Sequence, residues 1–323
     1  MNIVYASNDN YARHLGVSMC SLFESSKKEK NITVYILSVN LGQESRDRLN
    51  QIGEAYGRNI HYIEAGDLNS RFSHQVDTGR FDISTLGRLF IGKLLPENVK
   101  RLIYLDCDTV VVRSLAYVWK QNLEDCIIGA VPEPTIYKQV KEELGLSAED
   151  TYYNAGVLLI DLQAWRQENA ESKLLQLYAE KNGKLFANDQ DLINGGLKGR
   201  IKTLMPACNF FTNYRYFHYW DLVRQSPAYR QIPKEEFMKA KAHPVVIHYM
   251  GDERPWKAGN WNHYRLAYEK FLRQTPWKGY PKEEGARAYM AAYHIMDYLT
   301  FLCPPIRQVI SKIYLKKAMK KYG

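Results

Sequence analysis

Paired cysteines are missing from this chain of 323 residues: Cys20, Cys107, Cys126, Cys208 and Cys303 are odd in number, widely spaced and never arranged as Cys-x-x-Cys. Neither a disulfide framework nor a structural zinc site is indicated. No apolar run approaches the roughly 20 residues that cross a bilayer, and no charged segment leading into an apolar stretch opens the chain. These absences predict a reducing, cytoplasmic setting. Gly-x-Gly-x-x-Gly and Gly-x-x-x-x-Gly-Lys are also missing, which removes the backbone phosphate cradles of dinucleotide oxidoreductases and P-loop enzymes. Acids are absent from residues 306–323, where Arg307, Lys312, Lys316, Lys317, Lys320 and Lys321 supply six of the formal net charge of +9. About +3 is left for everything else, so the main body has little call on nucleic acid.

A hydrophobic content of 46% supports a large core, and the length suits one catalytic domain plus an appendage. We set the domain at residues 1–280 and a helical C-terminal segment at 281–323, where composition shifts. Ile3-Val4-Tyr5-Ala6 is a compact apolar run, and Leu15, Met19, Leu22 and Phe23 follow at helical spacing. Residues 32–37 form a second apolar run, after which Leu49, Ile52 and Tyr56 stripe a helix that Gly57 can end. Residues 60–63 predict a third strand, the segment around Arg88 a helix, and residues 101–105 a fourth strand. Strands and helices alternating in this way predict an α/β fold with a mostly parallel sheet flanked by helices.

The fourth strand runs into Asp106-Cys107-Asp108. Two carboxylates one residue apart at the carboxyl end of a strand can face one crevice and hold a divalent cation such as Mg²⁺ or Mn²⁺ against phosphates. Asn8 and Asn10, after the first strand, gather at the same end of the sheet. Two other readings compete. Asp-x-Asp is common in plain turns, and Asp106-Cys107-Asp108-Thr109-Val110 also fits an Asp-x-Asp phosphatase, with Asp106 as nucleophile.

Five segments occur in one order: residues 3–11; Tyr104-Leu105-Asp106-Cys107-Asp108; Tyr153-Asn154-Ala155-Gly156-Val157-Leu158-Leu159-Ile160; Asn188-Asp189-Gln190-Asp191-Leu192-Ile193-Asn194; and His248-Tyr249-Met250-Gly251 followed by Pro255-Trp256. Over roughly residues 1–265 the chain resembles family 8 of the glycosyltransferases, in particular its bacterial lipooligosaccharide α-galactosyltransferases. That resemblance implies a single Rossmann-like nucleotide-sugar domain of GT-A type and a retaining, UDP-sugar-dependent hexosyltransferase. It disfavours the phosphatase, whose Asp-x-Asp belongs near the first strand.

The same resemblance makes His248 the third metal ligand beside Asp106 and Asp108. Taken alone, this residue is equally a half-buried histidine at a strand end. A neutral imidazole suits Mn²⁺ better than Mg²⁺, which becomes the weaker substitute. Gly251 lets the backbone approach a diphosphate, and Arg254 stands where relatives usually carry Lys, with Lys257 as a second candidate cation. Asn8 stands where relatives often carry Asp to meet the uracil imide; an amide oxygen accepts that N–H too. Ala6, Asn10 and Cys107 complete the implied nucleotide-side set. Arg88, ordinarily a solvated charge, is carried over to the donor-sugar site, and Glu133 to the sugar or acceptor side. Asn154, Asp189 and Gln190 form the implied sugar-reading group, although Asp189 could equally cap its helix. Gln190 sits where double displacement would need a carboxylate, so front-side substitution is favoured.

In the tail, Ile306, Val309, Ile310 and Ile313 make an apolar stripe beside the lysines, after Pro304-Pro305. Such a helix resembles an anchor on anionic lipid, and a helix packed on the enzyme with a solvated basic face has the same pattern. The expected protein is a cytoplasmic enzyme peripheral to the inner membrane face, taking galactose, or alternatively glucose, to a glycolipid or glycoprotein glycan. An inactive glycan-binding or membrane-scaffolding protein of the same fold is the alternative from another class. The acceptor is not legible, because loops such as residues 69–82 are uninformative in composition.

Overall fold

The computed structural model describes residues 1–72, 76, 82–252, 254–303 and 305–306. Its strands, in chain order, are β1 (Asn2–Ser7), β2 (Thr33–Ser38), β3 (Asn59–Glu64), β4 (Arg101–Leu105), β5 (Thr109–Val111), β6 (Ile128–Ala130), β7 (Val157–Asp161), β8 (Ile201–Thr203), β9 (Phe210–Phe211) and β10 (Val246–His248). Seven build one sheet in the order β3-β2-β1-β4-β7-β6-β8, and β5-β10-β9 form a second, small sheet. Neighbours in the large sheet are parallel except at β7, which is antiparallel to both β4 and β6. The mostly parallel α/β sheet expected from the sequence is the one formed.

Alternation along the strands explains why both faces are covered. Ile3 and Tyr5 of β1, with Ile103 and Leu105 of β4, join an apolar layer that includes Leu15, Leu22 and Phe23 of the helix Ala12–Ser25. Val4 and Ala6, with Leu102 and Tyr104, face the opposite layer of Leu86, Leu89 and Trp165. A strand apolar at consecutive positions is stable only when each face meets its own cover of helices. At the sheet edge β3 instead exposes Asn59, His61 and Glu64, polar side chains that discourage a further strand from pairing.

The helix Gln43–Ala55 buries Leu49 and Ile52, and Gly57 adopts φ +60 just beyond it. The segment carrying Arg88 is a tighter 3-10 helix, Ile83–Phe90, with one α turn, Ile91–Leu94. Asp82 caps it by accepting from Ser84 N–H at 2.8 Å. Pro96 ends it, because the residue before proline is driven out of the helical region and Leu95 is extended.

Two pairings create the site. Because β7 runs against β4, Leu105 lies opposite Val157, and the following Asp106 N–H reaches Gly156 O at 2.8 Å. The residues leaving β4 thus meet those entering β7. In the small sheet, His248 is in register with Thr109 and with Phe211, and Tyr249 N–H bonds Asp108 O at 3.0 Å. Residues far apart in sequence are brought together by strand register rather than by a loop.

The helix Arg287–Leu302 follows the sheet region. Glu283 ties the segment before it to the first helix through Arg13 at 2.6 Å and His14 at 2.9 Å. Trp261 N–H donates to His294 Nε2 at 3.0 Å. The basic helix expected over residues 304–323 lies outside the described residues, save for 305–306. Among the described residues no helix is long and apolar enough to cross a membrane.

Candidate active site

Asp106, Asp108 and His248 offer ligand atoms that all lie within 4.8 Å of one another. His248 Nε2 stands 3.2 Å from Asp108 Oδ1, yet that buried oxygen receives no hydrogen bond. Leaving a buried carboxylate oxygen without a donor is costly unless a cation supplies the missing partner. Two oxygens and an imidazole at this spacing suit a borderline divalent ion. The residues therefore fit the metal that the sequence implied.

Charges around this cluster are unequally neutralised. Arg88 is 3% exposed and reaches Asp106 Oδ1 at 2.6 Å and Asp189 Oδ2 at 3.0 Å. Its remaining arm donates to Ala155 O at 2.5 Å, and the guanidinium lies over the Tyr104 ring at 4.3 Å. An arginine that in isolation would be a solvated charge is thus a buried fork holding two carboxylates, a task that suits its planar geometry. Burial raises Asp106 above the usual carboxylate range despite Arg88, and pushes Asp189 up to about 6. Burial acts the same way on Asp108, but the His248 ring and the Arg254 charge outweigh it and hold this carboxyl low. For His248, burial favours the neutral ring while Asp108 and Asp106 draw it above its ordinary value.

A row of amides stands beside the cluster. Asn154 accepts from Gly156 N–H at 2.9 Å and donates to Glu133 Oε2 at 2.9 Å. Gln190 Oε1 accepts from Ala155 N–H at 3.0 Å, and its nitrogen reaches Tyr152 Oη at 3.3 Å. Glu133, 5% exposed, is pushed up to about 7 by burial, against the amide bonds and the nearby imidazole. Asp189 does not cap its helix. Asn188–Gly196 has Ala187 at the cap position, Asp189 sits in the first turn, and it is Asp191 that accepts from Ala187 N–H at 2.7 Å.

With this geometry in place, the profile of glycosyl transferase family 8 matches residues 2–259. The chain belongs to glycosyl transferase family 8. It is similar to General stress protein A of Bacillus subtilis, 27% identical over 280 residues that cover 86% of this chain and 94% of that protein. Lipopolysaccharide 1,2-glucosyltransferase of Escherichia coli is 24% identical over 298 residues, covering 89% and 82% of the two chains. The crystal structure of galactosyltransferase LgtC with donor and acceptor sugar analogues superposes with a TM-score of 0.71 at 25% identity, covering 85% of this chain and 96% of that one. The protein is a hexosyltransferase of this retaining family, with the GT-A architecture, and the phosphatase reading of Asp106-Cys107-Asp108 is withdrawn.

The remaining predicted residues of this family 8 enzyme fall at different distances from the cluster. Asn8 accepts from Tyr11 N–H at 3.3 Å and donates to Asp82 Oδ2 at 2.8 Å, so both ends of its amide are engaged locally. Asn10 is exposed. Ala6 and Cys107 are buried against each other, with the Cys107 thiol donating to Ala6 O at 3.3 Å. Cys107 and Asp108 lie in the turn after β4, where the Cys107 side chain is buried while Asp106 and Asp108 are only partly so. Gly251 is exposed at φ +65, the left-handed region that glycine enters freely. Arg254 is half-buried with its Nε lacking a partner, whereas Lys257 stands 4.0 Å from Glu283.

Three participants escaped the sequence reading. Asp82 orients Asn8. Gly156 lies beneath the imidazole: a Cβ there would come 2.2 Å from His248 Cε1. Asn209, fully buried, bonds His248 Nδ1 at 3.0 Å. A polar residue directly before the apolar pair Phe210-Phe211 was the available signal for Asn209.

Proposed function

We propose that this enzyme moves a hexose from a UDP-sugar to the glycan of a cell-surface glycolipid or glycoprotein, with retention, using Mn²⁺ at Asp106, Asp108 and His248 and Mg²⁺ as a weaker substitute. Galactose is the favoured donor sugar and glucose the second. The observation that carries the reading is the buried, donorless Asp108 Oδ1 facing His248 Nε2. Similarity to a galactosyltransferase and to a lipopolysaccharide glucosyltransferase supports the substrate class.

When bound, the cation neutralises charge developing on the departing diphosphate. Arg254, close enough to influence Asp108, adds a second positive charge on that side, with Gly251 leaving room for the backbone. Asp189 and Asn154, with Arg88 behind them, face the sugar hydroxyls. Polar groups of this kind discriminate epimers, because the wrong one leaves a buried partner unpaired. Gln190 is a poor nucleophile, and the neighbouring Asp189 is tied to Arg88. Substitution on the front side follows: the anomeric carbon leaves the β-phosphate oxygen, the acceptor oxygen bonds the same face, and the released phosphate oxygen takes the acceptor's proton. Gln190 supports the ion-pair-like transition state of that step, and a Gln190→Ala enzyme with full transfer rate and unchanged donor affinity would remove it from that role.

Location is part of the proposal. Residues 281–323 are taken as the helical segment that holds the enzyme on the cytoplasmic face of an anionic membrane. Tyr289, Ile295, Tyr298 and Leu302 are exposed along the helix Arg287–Leu302, and the basic residues follow in sequence. Pelleting with anionic vesicles, with and without residues 304–323, tests this; equal pelleting of both forms counts against it. The function itself is tested by thermal shift against UDP-hexoses with Mn²⁺, followed by transfer assays on glycosides. Stabilisation by a tight ligand is expected, and indifference to every UDP-hexose would sink the reading.

A further inference from the structure

The hydrogen bonds behind His248 can be assigned from the backbone outward. Gly156 N–H can only donate, and it lies 2.9 Å from Asn154 Oδ1, so that atom is the carbonyl oxygen. The other end of the Asn154 amide is its NH₂, 2.9 Å from the acceptor Glu133 Oε2. Asn154 Oδ1 also faces Asn209 at 2.8 Å. A carbonyl oxygen needs a donor, so this end of Asn209 is NH₂ and the opposite end is oxygen. That oxygen is 3.0 Å from His248 Nδ1, which must carry a proton. The neutral ring then keeps its lone pair on Nε2, the nitrogen turned to Asp108. Asn209 is 0% exposed and Asn154 5%, so water does not compete for these bonds. Packing agrees, because the ring lies on Gly156 too closely to admit any side chain there.

We propose that Asn209 is a positioning residue, which fixes His248 in the Nδ1–H tautomer and turns Nε2 to the cation site, its own orientation being dictated by the Gly156 backbone through Asn154. The inference rests on the proposed cation site at Asp106, Asp108 and His248. It also links the metal side to the sugar side, since the same Asn154 amide holds Glu133. An outer hydrogen bond to a metal-ligating imidazole fixes its tautomer and basicity, and its loss typically weakens metal binding by about 10–100-fold.

Two measurements test it. Nitrogen NMR of His248 in the wild type, metal-free at alkaline pH and saturated with diamagnetic Mg²⁺, should find Nδ1 protonated and Nε2 bare in both; a proton on Nε2 of the neutral ring overturns the proposal. Mn²⁺ titration followed by electron paramagnetic resonance should give about 10–100-fold weaker binding for Asn209→Leu. Asn209→Asp, which keeps an acceptor for Nδ1, should bind within a few-fold of wild type while losing the donor to Asn154. Wild-type affinity in Asn209→Leu, or an equal loss in both variants, overturns the assignment. A wild type that binds no Mn²⁺ would instead defeat the cation-site reading, and the tautomer of the metal-free protein would still decide the role of Asn209.

Discussion

The two sides of the site treat their acids in opposite ways. On the large-sheet side, Asp106 and Asp189 share one buried arginine. On the side around His248, among the described residues, neither Asp108 nor Glu133 has a lysine or arginine within ion-pair distance; Asp108 meets only an imidazole and Glu133 only amides. The first side ties its acids to the protein's own arginine, one guanidinium for two carboxylates, and burial still raises both carboxyls. The second leaves its acids without a basic partner, Asp108 at the proposed cation site and Glu133 among amides. That difference tells where ligands belong more directly than the Asp-x-Asp spacing does.

The harshest test of this contrast removes each aspartate. Asp106→Ala and Asp108→Ala should both lower Mn²⁺-dependent transfer by about 10³-fold, since a metal contributes several kcal/mol to charge stabilisation. Their stabilities should part company. Asp106→Ala takes one of two carboxylates from a buried guanidinium, leaving Arg88 to Asp189, and should cost about 2 kcal/mol in urea unfolding of the metal-free protein. Asp108→Ala removes an acid whose Oδ1 receives no hydrogen bond and should cost less, about 1 kcal/mol. Equal losses would erase the distinction between the two sides.

Glu133 sharpens the comparison through pH. Its folded-state value of about 7 lies above the ordinary 4.5, so between those values the folded state keeps a proton that the unfolded chain has released. Stability from this group therefore falls as pH rises through that window, and the penalty is full above about pH 7. Glu133→Gln should stabilise the protein at pH 8 by at most about 3 kcal/mol, and change little at pH 4. A variant equally stable at both would mean that the carboxylate is better compensated than its surroundings suggest.

Gly156→Ala addresses the packing of the second side. With a Cβ 2.2 Å from His248 Cε1, the ring must move, and Mn²⁺ affinity should fall by about 10–100-fold while the Arg88 fork stays intact. Unchanged affinity would show that His248 tolerates displacement and is not a ligand held in place.

The strand end that carries Asp106 is legible in sequence, because it is local. Residues 101–105 form a compact apolar run ending in acids, and the helix Ala12–Ser25 declares its apolar spacing. The second side is assembled by register across distant strands, which periodicity cannot report. His248 reaches Asp108 only because β10 pairs with β5, and the family resemblance, not spacing, supplied it. Arg88 was placed at the site by the family resemblance alone, since nothing in Gly87-Arg88-Leu89 signals that two buried acids await it. Cys107 was grouped with its neighbours, and its thiol is buried in the turn after β4, on Ala6 O. Asn209 is a single polar letter among apolar ones, with a role set wholly by tertiary packing.

The mildest test is competition between proton and cation at Nε2. His248 is drawn above its ordinary value by Asp108 and Asp106, with burial opposing. A ring protonated on both nitrogens has no lone pair to offer, so metal binding must displace the Nε2 proton. Below the raised value, Mn²⁺ affinity should therefore fall by about tenfold for each pH unit, one proton being exchanged per ion. The decline should begin above the pH at which an ordinary histidine titrates, and it should vanish in His248→Ala, whose residual affinity comes from the two aspartates. A wild-type affinity flat across that range would mean that the imidazole does not ligate the ion, and that the donorless oxygen of Asp108 is met in some other way.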